Sequence, residues 1–117
     1  MNALGKHLLV ELKDCDRQLL NDLGFLKSTL LQAATESGAK VLGESFHQFQ
    51  PQGVSGVVTI AESHLFIHTW PEYGYAAFDI FTCGNSVQPE KAAPMLVKAL
   101  GAKSHSALEI QRGILDI

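Results

Sequence analysis

Cysteine is scarce in this chain: Cys15 and Cys83 are the only two in 117 residues, too few for a disulfide framework. That usage suits a reducing cytoplasm. No run of Lys and Arg appears, the net charge is -3 and the pI is about 5.9, so the electrostatic footprint of a nucleic-acid binder is missing. No apolar run approaches the length of a membrane span. The stretch Met1 to His7 leads straight into strand-like sequence without the long apolar region of a signal peptide. Repeats, linkers and low-complexity segments are absent. So is a Gly-x-Ser-x-Gly turn, which weakens a Ser-His-acid hydrolase. What remains is 46% hydrophobic and 18% charged, the composition of one globular domain over residues 1–117 with a single core.

Two periods divide the chain. His7 to Leu12, Val41 to Phe49, Val54 to Ile60, His64 to Trp70, Tyr75 to Thr82 and Ser106 to Arg112 read as strands. Asp14-Cys15-Asp16 reads as a turn and helix start. Leu23, Leu26, Leu30 and Ala33 follow helical spacing up to Gly38. A second helix opens at Gln88-Pro89-Glu90 and carries Ala92, Met95, Leu96, Ala99 and Leu100, with Pro94 an awkward member. The order β-α-β-β-β-β-α-β predicts an α/β (α+β) fold: a two-layer sandwich with an antiparallel sheet and two helices on one face.

Chemistry concentrates between Glu62 and Tyr75. There a strand holds hydroxyl, imidazole and carboxylate groups inside an apolar alternation, and such groups are costly to bury unless satisfied or used. With Pro71 to Gly74 as the loop of a hairpin, Trp70 pairs with Tyr75, His68 with Ala77, Phe66 with Asp79 and Glu62 with Cys83. Cys83 then lies beside the Glu62–Ser63 bond, whereas His68 stands roughly 20 Å from it at 3.3 Å per residue. A symmetric pair of chains could bring His68 of one copy to Cys83 of the other. His64 and His68 are about 13 Å apart in a strand, too far to share a metal ion, and no metal is expected. A Cys83–His68 nucleophile pair stays open, as does conversion of Ser63 itself into a cofactor. His7, His47, Cys15 and His105 read as structural or exposed. Asp79 neighbours the site without an assigned role.

Gly5-Lys6-His7-Leu8, Cys15-Asp16, Ser37-Gly38-Ala39, Phe46-His47-Gln48-Phe49, Gly53 to Val58, Glu62-Ser63-His64, Ile67 to Ala76 and Asp79 to Gly84 form a specific set in this order and spacing. On these motifs the chain resembles the short prokaryotic type of S-adenosylmethionine decarboxylase over nearly its full length. The resemblance implies a cytoplasmic, self-processing proenzyme that supplies aminopropyl groups for polyamine (spermidine) synthesis. Ser63 Oγ would attack the Glu62 carbonyl and turn the amide into an ester. Loss of the Ser63 α-proton and β-elimination would then cut the chain into residues 1–62 (β chain) and 63–117 (α chain). Hydrolysis of the resulting dehydroalanine, with loss of ammonia, would leave a pyruvoyl group on residue 63.

By the same resemblance, Ser55 assists ester formation and His68 the elimination. The pyruvoyl ketone forms a Schiff base with the substrate amine and acts as electron sink. Cys83 returns a proton to the substrate carbon; an ordinary thiol titrates near 8.5 and keeps its proton at neutral pH. Phe49 matches an aromatic that stacks on adenine, and Glu72 a carboxylate that holds the ribose. The implied assembly is a homodimer whose sites take Ser63 and Cys83 from one protomer and Ser55, His68 and Glu72 from the other. Two further functions compete. One is a pyruvoyl-dependent decarboxylase of a free amino acid, arginine or ornithine; the other is a non-enzymatic ligand-binding dimer.

Overall fold

Six segments with a period-two pattern become strands in the computed structural model, which describes residues 3–84 and 86–115. They are β1 (Ala3–Lys13), β2 (Lys40–Gln48), β3 (Val54–Ala61), β4 (Ser63–Trp70), β5 (Tyr75–Cys83) and β6 (Ser104–Ile114). The helices are α1 (Leu23–Glu36) and α2 (Ala92–Leu100). All strands pair antiparallel in one sheet, ordered β2-β3-β4-β5-β1-β6. The α+β sandwich read from the sequence is the fold. Among the described residues no helix is long and apolar enough to cross a membrane.

Alternation decides what each face of the sheet carries. Val10 and Leu12 of β1, Val58 and Ile60 of β3, Leu65 and Ile67 of β4, and Phe78 and Ile80 of β5 are buried, in one core with Leu26 and Leu30 of α1 and Leu96 and Leu100 of α2. Each such leucine contributes about 1.5–3 kcal/mol through burial. Asp22 caps α1 by accepting from Phe25 N–H at 3.0 Å. Asp16 accepts from Gln18 N–H and Leu19 N–H at 2.9 and 3.1 Å, one turn earlier.

Three boundaries differ from the sequence reading. The α2 region begins as a 3₁₀ turn over Pro89–Lys91, and the α-helix proper starts at Ala92. Pro94 therefore falls in the first helical turn, where no intrahelical acceptor awaits an N–H, so it fits. β1 and β6 run beyond His7–Leu12 and Ser106–Arg112, because they pair with each other as far as Ala3 opposite Ile114. These ends, which include exposed Leu4 and Ile114, are held by the backbone ladder and not by burial. β2 stops at Gln48, which leaves Phe49 at the mouth of the following turn with its N–H donating to Gly53 O at 2.8 Å.

Candidate active site

The uncovered face of the sheet carries His64 and His68 of β4 and Asp79 of β5. The hairpin register is the one that the Pro71–Gly74 loop dictates: Trp70 opposite Tyr75, His68 opposite Ala77 and Phe66 opposite Asp79. Gly74 closes the loop in the left-handed region at φ 62°, where glycine has no Cβ penalty. Arg17 Nη1 donates to the Glu72 carbonyl at 2.9 Å and fixes the loop against the chain that follows β1.

Four of the residues singled out in the sequence gather at this loop end. Phe49, Ser55, His68 and Glu72 line one cavity of about 360 Å³, with Gln52, Gly53, Thr69 and Trp70 completing it. Ser55 faces His68 across β3 and β4, and its Oγ lies 3.0 Å from His68 Nδ1. The His68 ring stacks on Phe66, with centroids 4.6 Å apart and planes 17° from parallel, so one nitrogen and one face are both held. Phe49 is 46% exposed and Trp70 40%, which leaves aromatic surface open to a flat partner. The Tyr75 hydroxyl donates to Glu11 Oε2 at 2.7 Å. Burial, then that bond and the Glu11 charge, push its pKa up to about 12.

Glu62, Ser63 and Cys83 sit at the opposite end of the hairpin. Cys83 N–H donates to the Glu62 carbonyl at 3.3 Å, and Ser63 lies opposite Thr82. Gly5 of β1 faces Cys83 from the other side; a Cβ there would come within 2.5 Å of the Phe81 ring. Ser63 has φ 132°, a region that residues with a side chain rarely occupy and that marks stored backbone strain. Five residues of extended strand, about 16 Å, separate Ser63 from His68. The two groups of residues thus lie at opposite ends of one hairpin and do not meet within one chain.

Between these two ends lies a group that the sequence reading left without a role. His7 Nε2 is 2.8 Å and His64 Nε2 is 3.2 Å from Asp79 Oδ2, and Arg112 Nη1 is 3.1 Å from His7 Nδ1. His7 had read as structural, because one strand histidine carries no signal by itself. The available hint was an aspartate inside a strand, on the face of His64. His64 and His68 do not converge: His64 turns to Asp79, and His68 to Ser55. Cys15, by contrast, is buried, and burial followed by the Asp14 charge pushes its thiol up to about 11. It borders a depression of about 440 Å³ with Asp14, Arg17 and Gly74, and its N–H donates to Gly74 O at 2.9 Å.

Residues 6–113 match the family model described as S-adenosylmethionine decarboxylase. The chain belongs to the S-adenosylmethionine decarboxylase family. It is 52% identical over 116 residues to the S-adenosylmethionine decarboxylase proenzyme of Thermodesulfovibrio yellowstonii, covering 99% of this chain and 86% of that one. The proenzyme of Thermotoga maritima is 53% identical over 116 residues, covering 99% and 89%. The crystal structure of the adenosylmethionine decarboxylase from Aquifex aeolicus superposes with a TM-score of 0.91 at 32% identity, over 99% of this chain and 96% of that one. A Trypanosoma brucei structure shares the fold alone, at TM-score 0.66 and 16% identity, over 89% of this chain but 45% of its own.

Proposed function

We propose that this chain is a self-processing decarboxylase of S-adenosylmethionine that works through a pyruvoyl group made from Ser63. The observation that carries the reading is the disposition of one hairpin: the Glu62–Ser63 bond beside Cys83 at one end, and the Ser55–His68 pair in an aromatic cavity at the other.

Cleavage on this reading uses two copies of the chain and water. Ser63 Oγ adds to the Glu62 carbonyl carbon, and the amide becomes an ester with the Ser63 nitrogen released as an amine. The Ser55 hydroxyl of the second copy, brought beside the carbonyl oxygen, stabilises the charge that develops there. His68 of the second copy, oriented by its own Ser55 and Phe66 ring, takes the Ser63 α-proton. The ester C–O bond breaks, the Glu62 carboxylate leaves with residues 1–62, and water releases ammonia from the new terminus at residue 63. Ser63 fits this role because it is strained, half-buried at a strand start, and one register position from Cys83.

A pyruvoyl group at residue 63 supplies an electron sink for the pair left when carbon dioxide departs. Cys83 holds the proton that must return to the substrate carbon. Phe49 offers a face for adenine, and Glu72 a carboxylate for the two ribose hydroxyls. The open aromatic surface supports a nucleoside substrate over a free amino acid. Because the half-sites are separated in one chain, the reading includes a homodimer in which Ser63 and Cys83 of one protomer meet Ser55, His68 and Glu72 of the other.

Intact mass on a denatured sample tests self-processing: fragments 1–62 and 63–117 are expected, and Ser63→Ala should remain whole. A carbon-dioxide release assay with S-adenosylmethionine, arginine and ornithine tests the substrate. Release from arginine or ornithine alone would reassign it, and an uncut, inactive chain would leave a ligand-binding protein.

A further inference from the structure

We infer that Asp79, acting through the His64 ring, is a positioning residue for chain cleavage that holds Ser63 in its strained conformation. The inference rests on the self-processing reading above. A residue with a side chain stays at φ 132° only where its surroundings over-determine it. On its N-terminal side, the Glu62 carbonyl accepts from Cys83 N–H at 3.3 Å. Laterally, Ser63 sits between Ile60 of β3 and Thr82 of β5. On its C-terminal side, the next residue is tied by its ring: His64 Nε2 lies 3.2 Å from Asp79 Oδ2.

That tie is itself anchored. Arg112 has donors only, so its 3.1 Å contact makes His7 Nδ1 the acceptor and puts the His7 ring proton on Nε2. That proton points at Asp79 Oδ2, 2.8 Å away. One carboxylate oxygen thus accepts from two rings, and the sequence Arg112, His7, Asp79, His64 runs across the adjacent strands β6, β1, β5 and β4. The three ligand atoms of His7, His64 and Asp79 lie within 4.8 Å of one another, the spacing of a metal site. The guanidinium at Nδ1 and the proton on Nε2 make the group a hydrogen-bonded anchor instead.

The consequence is specific to cleavage. When the acyl group moves to Oγ, the peptide link at Ser63 N is broken and φ is free to relax, so strain held before that step speeds it. The finished enzyme has no Glu62–Ser63 link and has no use for the anchor.

The test follows newly made full-length chain from cell-free synthesis, reading the first-order cleavage rate on denaturing gels. Asp79→Leu should slow cleavage about 5- to 150-fold, the range that strain of this class supplies. Asp79→Asn keeps an acceptor oxygen and should recover most of the rate. His64→Phe keeps the ring without the donor and should match Asp79→Leu, which also serves if that variant does not fold. Turnover per processed chain should equal that of the unaltered protein in all three. Cleavage at the unaltered rate in Asp79→Leu or His64→Phe overturns the inference. So does a fall in turnover that parallels cleavage and that Asp79→Asn does not restore. An unaltered chain that never cuts would instead sink the self-processing reading itself.

Discussion

Cys15 and Cys83 differ in what surrounds the sulfur, and the difference assigns their chemistry. Cys15 is buried with its thiol pushed from about 9 up to about 11, by burial first and Asp14 second. A raised pKa means that the folded chain holds this proton more tightly than the unfolded chain. Its stabilising contribution is therefore complete below pH 9 and lost as pH rises from about 9 to about 11. Tyr75, raised from 10.0 to about 12, extends that loss to about pH 12. Denaturant midpoints measured from pH 8 to pH 11 should fall with pH, and Cys15→Ala should flatten the lower part of the decline; an unchanged slope would contradict the burial argument. Cys83 is only half-buried and its N–H donates to the Glu62 carbonyl; on the proposed mechanism its thiol reaches substrate. Cys83→Ala should still be cut, because no processing step uses the thiol, while turnover falls about 10²–10⁴-fold through loss of a general acid. Wild-type turnover in Cys83→Ala would remove the thiol from the mechanism.

The β4–β5 hairpin shows why elements were more legible than networks. A two-fold alternation and a Pro-Glu-Tyr-Gly loop dictate strand, turn and register together, so the placement of Glu62 beside Cys83 and the distance to His68 followed from spacing alone. The start of α2 was less legible, since Pro89 and Pro94 each mark a first turn and only packing chooses between them. Contacts between distant segments left almost no trace. Asn21 Oδ1 accepts from Gln48 Nε2 at 2.8 Å and from Gly53 N–H at 2.9 Å. Buried Thr69 donates to Leu20 O at 2.7 Å and accepts from Val54 N–H at 2.9 Å. These bonds tie the floor of the aromatic cavity to the 3₁₀ turn Leu19–Asn21, yet Thr69 reads in sequence as any β-branched strand residue. Thr69→Val keeps the shape and strands both partners. It should cost about 1–3 kcal/mol in chemical denaturation and raise KM more than it lowers kcat, because it loosens the cavity and leaves the reacting groups in place.

At the scale of the whole molecule, the sheet is finished on one face only. Leu9, Leu108, Ile110 and Ile114 stand exposed on β1 and β6, with Leu108 and Ile114 each at 61%, beside Phe66, Phe81 and His68 on the same side. An apolar surface of that kind calls for a covering partner, and on the proposed reading a second copy would cover it and complete the site. The predicted cut does not undo this layer. Residues 1–62 carry β1, β2 and β3, and β1 lies between β5 and β6 of the other fragment, so the two pieces stay interleaved and should part only under denaturation. A two-fold pairing of the open faces, as proposed, would make two equivalent shared sites. Co-expression of a Cys83→Ala chain with a Glu72→Ala chain tests the sharing directly. In a mixed dimer one site carries both lesions and the other carries neither, so random pairing of equal amounts should restore about one quarter of the wild-type sites. If each site lay within one chain, every site would carry one lesion and mixing would restore nothing. Sedimentation of the processed protein supplies the independent check: an active monomer would leave Ser63 about 16 Å from His68 with no second copy to bridge them, and the shared-site reading would fall.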